Sequence, residues 1–377
     1  MVTTAAGPLL GRLTEIPAPA RLGLVGPLRL RRAWPREGGH LLLEYRDTRG
    51  RRVAGQHLAD PEHLRRVARA TGSGHPERVA TVEHLGVLLQ AHGADRRLGV
   101  LAGLLDDPGA ELVVHRPERR AVVHLNDSWV KVVRSGRVDR LVVATAALAA
   151  SEDVAAPQPL EIDPGAGLTR WSTVPGTPLI DLLSTVQTPA DAFAAVGAAL
   201  RRVHGRPAPP ALPVHGPEGE QRTLHTWVTR MAVLDPGWAD VLRSRLPAVE
   251  AGLSAGTGRI VLTHGDLHDR QILVAPSGVG VIDADTAAGG EAAQDVANLL
   301  VHLELRAAQG RCLAARAGAL AAAILDGYGP GPDVVARLPA YAAATRLRLA
   351  AVYRLRPRDP RVCMGLLDRL HDPVPGL

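Results

Sequence analysis

Two apolar runs that each end in acid-bearing polar residues constrain this chain more than any other feature. Ile260-Val-Leu-Thr leads into His264-Gly265-Asp266-Leu267-His268-Asp269-Arg270-Gln271, and Ile-Leu-Val274 leaves it. A second run, Val279-Gly-Val-Ile282, then delivers Asp283 and Asp285, with Pro276-Ser277-Gly278 as the turn between. Strand, polar turn and strand in that order hold polar side chains at the rim of a core. The hairpin that follows folds Asp283 back beside Gln271, so Asp266, Gln271 and Asp283 form one cluster.

Those residue types suit phosphoryl transfer, which needs neutralised phosphates and a positioned nucleophile. Asp283 offers a carboxylate for Mg²⁺, and Gln271 a side-chain carbonyl, both hard oxygen donors. Asp266 is placed to accept the proton of an acceptor hydroxyl. An ammonium on a neighbouring sheet would complete the set, and composition points to it. Of the 44 basic residues, Lys131 is the sole lysine and the rest are arginine. In a chain that uses arginine everywhere else, a surviving lysine marks a site that needs a compact point charge.

The stretch HGDLHDRQILV resembles the HGDLHxxNIL loop of the aminoglycoside phosphotransferases and their choline-kinase-like and sugar-kinase relatives, maltokinase-like and glucosamine-kinase-like members included. VIDAD at 281–285 resembles their metal-binding segment. Ser172-Thr-Val174-Pro-Gly176-Thr-Pro-Leu179 is similar to the segment that joins the lobes. The helix ending at His204 and the segment Asp295-Val-Ala-Asn-Leu-Leu300 are similar to two further family elements. The resemblance covers roughly residues 110–355. It implies an α+β, bilobal protein-kinase-like fold with a small antiparallel-sheet N-lobe and a mostly helical C-lobe. It also implies a nucleoside triphosphate (ATP, with GTP possible) held with Mg²⁺, and phosphorylation of a small-molecule hydroxyl, on an aminoglycoside or on a sugar or aminosugar. Carried over residue by residue, Asp266 is the catalytic base and His264 orders the catalytic loop. Gln271 and Asp283 hold magnesium. Lys131, Arg119, Ser172 and Val174 contact the nucleotide.

Three departures from the family pattern stand out. Gln271 replaces the usual asparagine. The turn at 116–120 is arginine-rich rather than glycine-rich, so Arg119 or Arg120 is the expected phosphate contact there. The helix after Lys131 has no glutamate to pair with it, and its one early acid is Asp139. That gap motivates an alternative: a non-catalytic kinase-fold protein that binds a nucleotide or a partner.

The remaining sequence divides around this region. Residues 1–95 read as an accessory or cap region packed on the small lobe, or as an oligomerisation module. Strands are expected there at 28–33, 39–45 and 52–58. A helix capped by Asp60-Pro61 follows, and a second short helix at 78–92. Residues 96–175 read as the N-lobe: strands at 111–115, 121–125 and 128–134, then a helix at 138–150. Residues 176–377 read as the helical C-lobe, with helices at 189–204, 223–246 (broken near Asp235), 294–309, 311–325 and 334–353. The proline-rich 207–217 is a loop. Glu218 and Glu220 in 214–221, with Asp326 and Asp333, are the candidates for meeting a cationic acceptor.

Composition excludes several other classes. The net charge of +6 comes from arginine spread along the whole chain, and aromatic residues make up 3%. No nucleic-acid motif or stacking platform is present, so nucleic acid is not an expected partner. No apolar run is long enough to span a membrane, and the first ten residues lack a basic, then apolar, leader; a cytoplasmic protein is expected. Cys312 and Cys363 lie outside any ligand spacing and read as free thiols, and the histidines at 57, 63, 75, 84 and 92 share no metal spacing. The sequence leaves the oligomeric state open.

Overall fold

The structure, a computed structural model, describes residues 7–151, 154–185, 190–356 and 360–377. Its first unit is a six-stranded antiparallel sheet. The spatial order is Glu15–Ile16, Leu28–Pro35, Leu41–Arg46, Arg52–His57, Val87–Gln90 and Val79–Val82. The helices Pro8–Leu13 and Pro61–Thr71 pack on it, and the Asp60 side chain accepts from the Glu62 amide at the start of the second, as the Asp-Pro pair implies. The helix expected over 78–92 is not there. Val79–Val82 and Val87–Gln90 are paired strands around a turn at Gly86. β-Branched Val79, Thr81 and Val82 favour extended backbone, and the strand Arg52–His57 supplies an open edge for Val87–Gln90 to join. Gly86 has φ of 63°, and a Cβ there would stand 2.6 Å from the Leu58 carbonyl oxygen, so this turn requires glycine.

The second unit is a five-stranded antiparallel sheet, ordered Pro159–Asp163, Leu168–Ser172, Ser128–Val133, Arg120–Leu125 and Ala110–Arg116. The helix Val138–Ala149 packs on it. The strands Ala110–Arg116, Arg120–Leu125 and Ser128–Val133 and the helix follow the sequence pattern; Leu168–Ser172 is not among the expected strands. Neither is Pro159–Asp163, because every residue of it is exposed and no buried alternation marks it.

The third unit is helical: Ala190–His204, Pro217–Leu234, Pro236–Ser254, Ala292–Ala308, Ala314–Tyr328, Pro332–Arg354 and Pro360–Asp368. The expected break near 235 is real. There the Asp235 side chain accepts from the Trp238 amide and pairs with Arg354. The helix before the break starts at Pro217 rather than 223, so Glu218 and Glu220 lie in its first turn and not in a loop. Pro189, expected to open the helix ending at His204, lies outside the described residues. No helix among the described residues is long and apolar enough to cross a membrane.

The first unit touches both of the others. Asp95 bonds His115 Nε2 at 2.9 Å and accepts from the Glu118 amide at 2.7 Å, both on the second unit. The Ala33 amide donates to the Leu355 carbonyl at 3.2 Å, and a continuous core runs from Leu13 and Tyr45 into Leu234 and Leu355. Residues 1–95, expected as a cap on the small lobe or as an oligomerisation module, touch both lobes.

Candidate active site

The strand Ile260–Thr263 pairs with Ala288–Glu291, and Ile272–Ala275 pairs with Gly278–Val281. The polar segment 264–271 is thus held between two small sheets. Gly265 takes φ of 80°, and a Cβ there would meet the Thr286 carbonyl oxygen at 2.4 Å. Asp295, buried in the helix Ala292–Ala308, accepts from the amides of His264 (2.6 Å) and Gly265 (2.9 Å), and from His204 Nε2 (3.3 Å). Burial opposes its ionisation, but the His204 hydrogen bond and the amides hold its carboxyl below the usual range. His264 Nε2 lies 3.0 Å from the Ile282 carbonyl, and Asn298 donates to the Leu267 carbonyl at 2.6 Å. Arg306 grips buried Asp269 through two bonds of 2.7 and 2.9 Å. The segment is fixed at nearly every residue.

Asp266 is the exception. Its side chain is 44% exposed, and its nearest charged partner is Arg348, 3.8 Å away. Gln271 is buried; its Oε1 accepts from the His268 amide at 3.1 Å, and its carbonyl accepts from Ile282 N at 2.9 Å. That second bond brings the hairpin's two ends together. One residue further, Asp283 stands in the left-handed region at φ 62°, ψ 47°. A non-glycine residue held there stores strain, which clusters at functional sites.

Lys131 reaches this point from the second unit's central strand. Its ammonium donates to Asp283 Oδ1 at 2.7 Å and to Asp285 Oδ1. Burial pulls Lys131 down, but the two carboxylates outweigh it and raise its pKa above the ordinary lysine value. Burial likewise pushes Asp283 up, yet Lys131 and Arg120 hold it well below the usual carboxylate range. The sequence left Lys131 without a partner. Asp285, two residues past Asp283, is that partner, and the helix Val138–Ala149 supplies none. The signal was present in VIDAD as a second acid on the same short segment.

Arg120 reaches this cluster from the 116–120 turn. It bonds Asp285 Oδ2 at 2.7 Å and stands 3.8 Å from Asp283 Oδ2. Arg119 is exposed at the tip of that turn. Ser172 and Val174 sit apart from this cluster: Ser172 Oγ accepts from the Gln158 amide, and Val174 is buried against Gly280. Arg348, which links Asp266 to Glu220, carried no sequence signal.

A phosphotransferase enzyme family model, that of the APH phosphotransferases, matches residues 130–338. The chain belongs to this family. It is a small-molecule kinase with the bilobal kinase-like fold. Comparison with curated proteins finds no significant match. Among solved structures, this phosphotransferase is similar to a choline/ethanolamine kinase family protein from Mesorhizobium loti. The TM-score is 0.50 and the identity 18%, covering 72% of this chain and 89% of the other. It is also similar to an amicoumacin kinase in complex with AMP-PNP and Ca²⁺, at TM-score 0.53 and 16% identity, covering 71% and 90%. A glucosamine kinase matches over 95% of this phosphotransferase and 98% of its own length, at TM-score 0.47 and 17% identity.

Proposed function

We propose that this phosphotransferase moves the γ-phosphoryl group of ATP to a hydroxyl of a sugar-type small molecule in the cytoplasm, with Asp266 as the catalytic base. The observation that carries the reading is the meeting of Lys131, Asp283 and Asp285 at the end of a hairpin whose other end bears Gln271 and the loop of Asp266. Lys131 is aimed where the nucleotide's phosphates must pass between the lobes, and its own carboxylate partners fix its direction. Asp283 and Gln271 present oxygen donors only, a set that suits a hard cation such as Mg²⁺. Bound there, the ion would neutralise charge on the phosphates. His264 serves by its backbone and ring bonds to Asp295 and Ile282, as a positioning residue.

Asp266 faces outward with its carboxylate uncommitted by any short hydrogen bond. It takes the acceptor's proton as the acceptor oxygen bonds to the γ-phosphorus. The bond from phosphorus to the bridging oxygen breaks, and its electron pair leaves with ADP. The non-catalytic alternative rested on a missing partner for Lys131, and Asp285 removes that ground. The aminoglycoside reading rested on Glu218, Glu220, Asp326 and Asp333. These do not form one acidic face: Glu220 is buried against His215, Glu218 is exposed, and Asp333 borders a different cavity.

Calorimetry of ATP and GTP binding with and without Mg²⁺, on the natural chain and on Asp283→Asn, tests the reading. It is supported by binding that needs Mg²⁺ and weakens at least tenfold in the variant. Well-folded protein that binds neither nucleotide overturns it.

A further inference from the structure

Beside the candidate active site, and sharing Arg120 and Asp285 with it, lies a cavity of about 460 Å³. It sits where all three units meet and is bordered by Asp285 and Thr286 of the active-site segment. Its walls hold eight arginines. Arg36 comes from the first unit and Arg230 from the helix Pro217–Leu234. Arg116, Arg119 and Arg120 come from the turn between two lobe strands. Arg134, Arg137 and Arg140 lead into the helix Val138–Ala149. Trp34 and Trp227 supply flat apolar surface between them.

The charge is largely uncompensated. Among the described residues Asp285 is the one acid on the wall, and Lys131 and Arg120 already occupy it. None of Arg36, Arg119, Arg137, Arg140 and Arg230 forms an ion pair among the described residues. Arg116 Nε and Arg120 Nε are buried without a hydrogen-bond partner. The guanidiniums also disfavour one another. Burial, then Arg120, brings Arg116 down to about 10; burial, then Arg230, lowers Arg36; burial, then Arg36, Arg137 and Arg230, lowers Arg119. Arginines gathered from three units, with orphaned donors and mutual repulsion, are a binding surface awaiting an anion. Planar guanidiniums match phosphate and carboxylate in bidentate geometry.

We infer that this cavity is an oxyanion site separate from the magnesium–nucleotide site, and that the acceptor phosphorylated here carries a phosphate or carboxylate group which the arginines hold. The second clause rests on the phosphotransferase reading above; the first does not. A cationic acceptor is repelled by these walls, and a neutral sugar leaves their donors unsatisfied.

The experiment is a calorimetric titration of the full chain with inorganic phosphate, alone and with Mg²⁺ and AMP-PNP at saturation. It is repeated on Arg36→Ala/Arg230→Ala and on the exposed pair Arg137→Glu/Arg140→Glu, each checked for an unchanged melting midpoint. The second pair keeps the test informative where the first fails to fold. Expected is phosphate binding that survives nucleotide saturation and weakens tenfold or more in the variants. ADP release should then be faster with phosphorylated or carboxylated sugars than with their neutral parents. Phosphate binding that disappears on nucleotide saturation overturns the inference, since the arginines would then serve the nucleotide's own tail. Undiminished binding in a folded variant, or none at all, also overturns it. If AMP-PNP fails to bind while phosphate binds through the arginines, the kinase reading falls and the oxyanion site stands.

Discussion

Asp266 and Asp295 lie 29 positions apart in sequence and do opposite things. One is exposed and nearly unbonded; the other is buried and accepts from three groups. Their substitutions should separate accordingly. Asp266→Asn should lower turnover by about 10² to 10⁴-fold, the usual contribution of a positioned base, and leave nucleotide affinity within about threefold. Undiminished turnover would mean that another group takes the proton. Asp295→Ala strips acceptors from two buried amides and an imidazole. It should cost about 3 kcal/mol in a denaturant titration, and turnover should fall with it because the loop of Asp266 loses its anchor. A loss below about 1 kcal/mol would show that the loop holds its shape unaided. The sequence made Asp266, Gln271 and Asp283 readable because they punctuate apolar strands at fixed spacing. Arg348 and Arg306 were not readable, since each acts across a helix packing that no local pattern encodes.

The elements that carry these residues are short and depend on one another. Ile272–Ala275 and Gly278–Val281 form a hairpin of four residues a side, extended at each edge by a two-residue strand, Thr177–Pro178 or Val154–Ala155. Two-stranded ribbons of this length are marginal alone, so the hairpin is ordered by the core beneath it. Gly265→Ala is the sharpest probe at this scale, combining a positive φ with a close backbone approach. It should destabilise the protein by about 2 kcal/mol and cut turnover more than that loss explains. Equal melting midpoints for the variant and the natural chain would contradict this. Helices here were legible from their apolar stripes and caps. The pair of strands at 79–90 was not, because a short apolar run carries no period of its own and its extended form depends on a distant strand.

Across the whole molecule, buried titrating groups set how stability responds to acid. Burial, then His268, holds His302 well below the ordinary imidazole value of 6.5, and burial also lowers His268. Both are neutral when folded and take up a proton when unfolded at lower pH. Stability is therefore complete above 6.5 and is lost as pH falls from there, by about 1.4 kcal/mol per pH unit for each proton taken up. Asp95, Asp283, Asp295 and Glu220 are all held below their ordinary values, so their contributions persist until pH falls below about 4. Denaturant titrations at pH 8, 6.5 and 5 should show a plateau and then a decline, and a flat response would contradict the burial of His302. Removing residues 1–95 should leave an insoluble or unfolded remainder, judged by sedimentation and circular dichroism, because their core is shared with the helical lobe. Full activity in a soluble remainder would show that they do not complete the cleft.

The backbone bond from Ala33 to Leu355 also bears on how the chain is made. The first sheet closes against a segment synthesised much later than itself. Until the helix Pro332–Arg354 has left the ribosome, the part of the first unit that packs near Leu355 stays wet. Any pause in translation before that helix leaves apolar surface open, and the nascent chain is then exposed to aggregation.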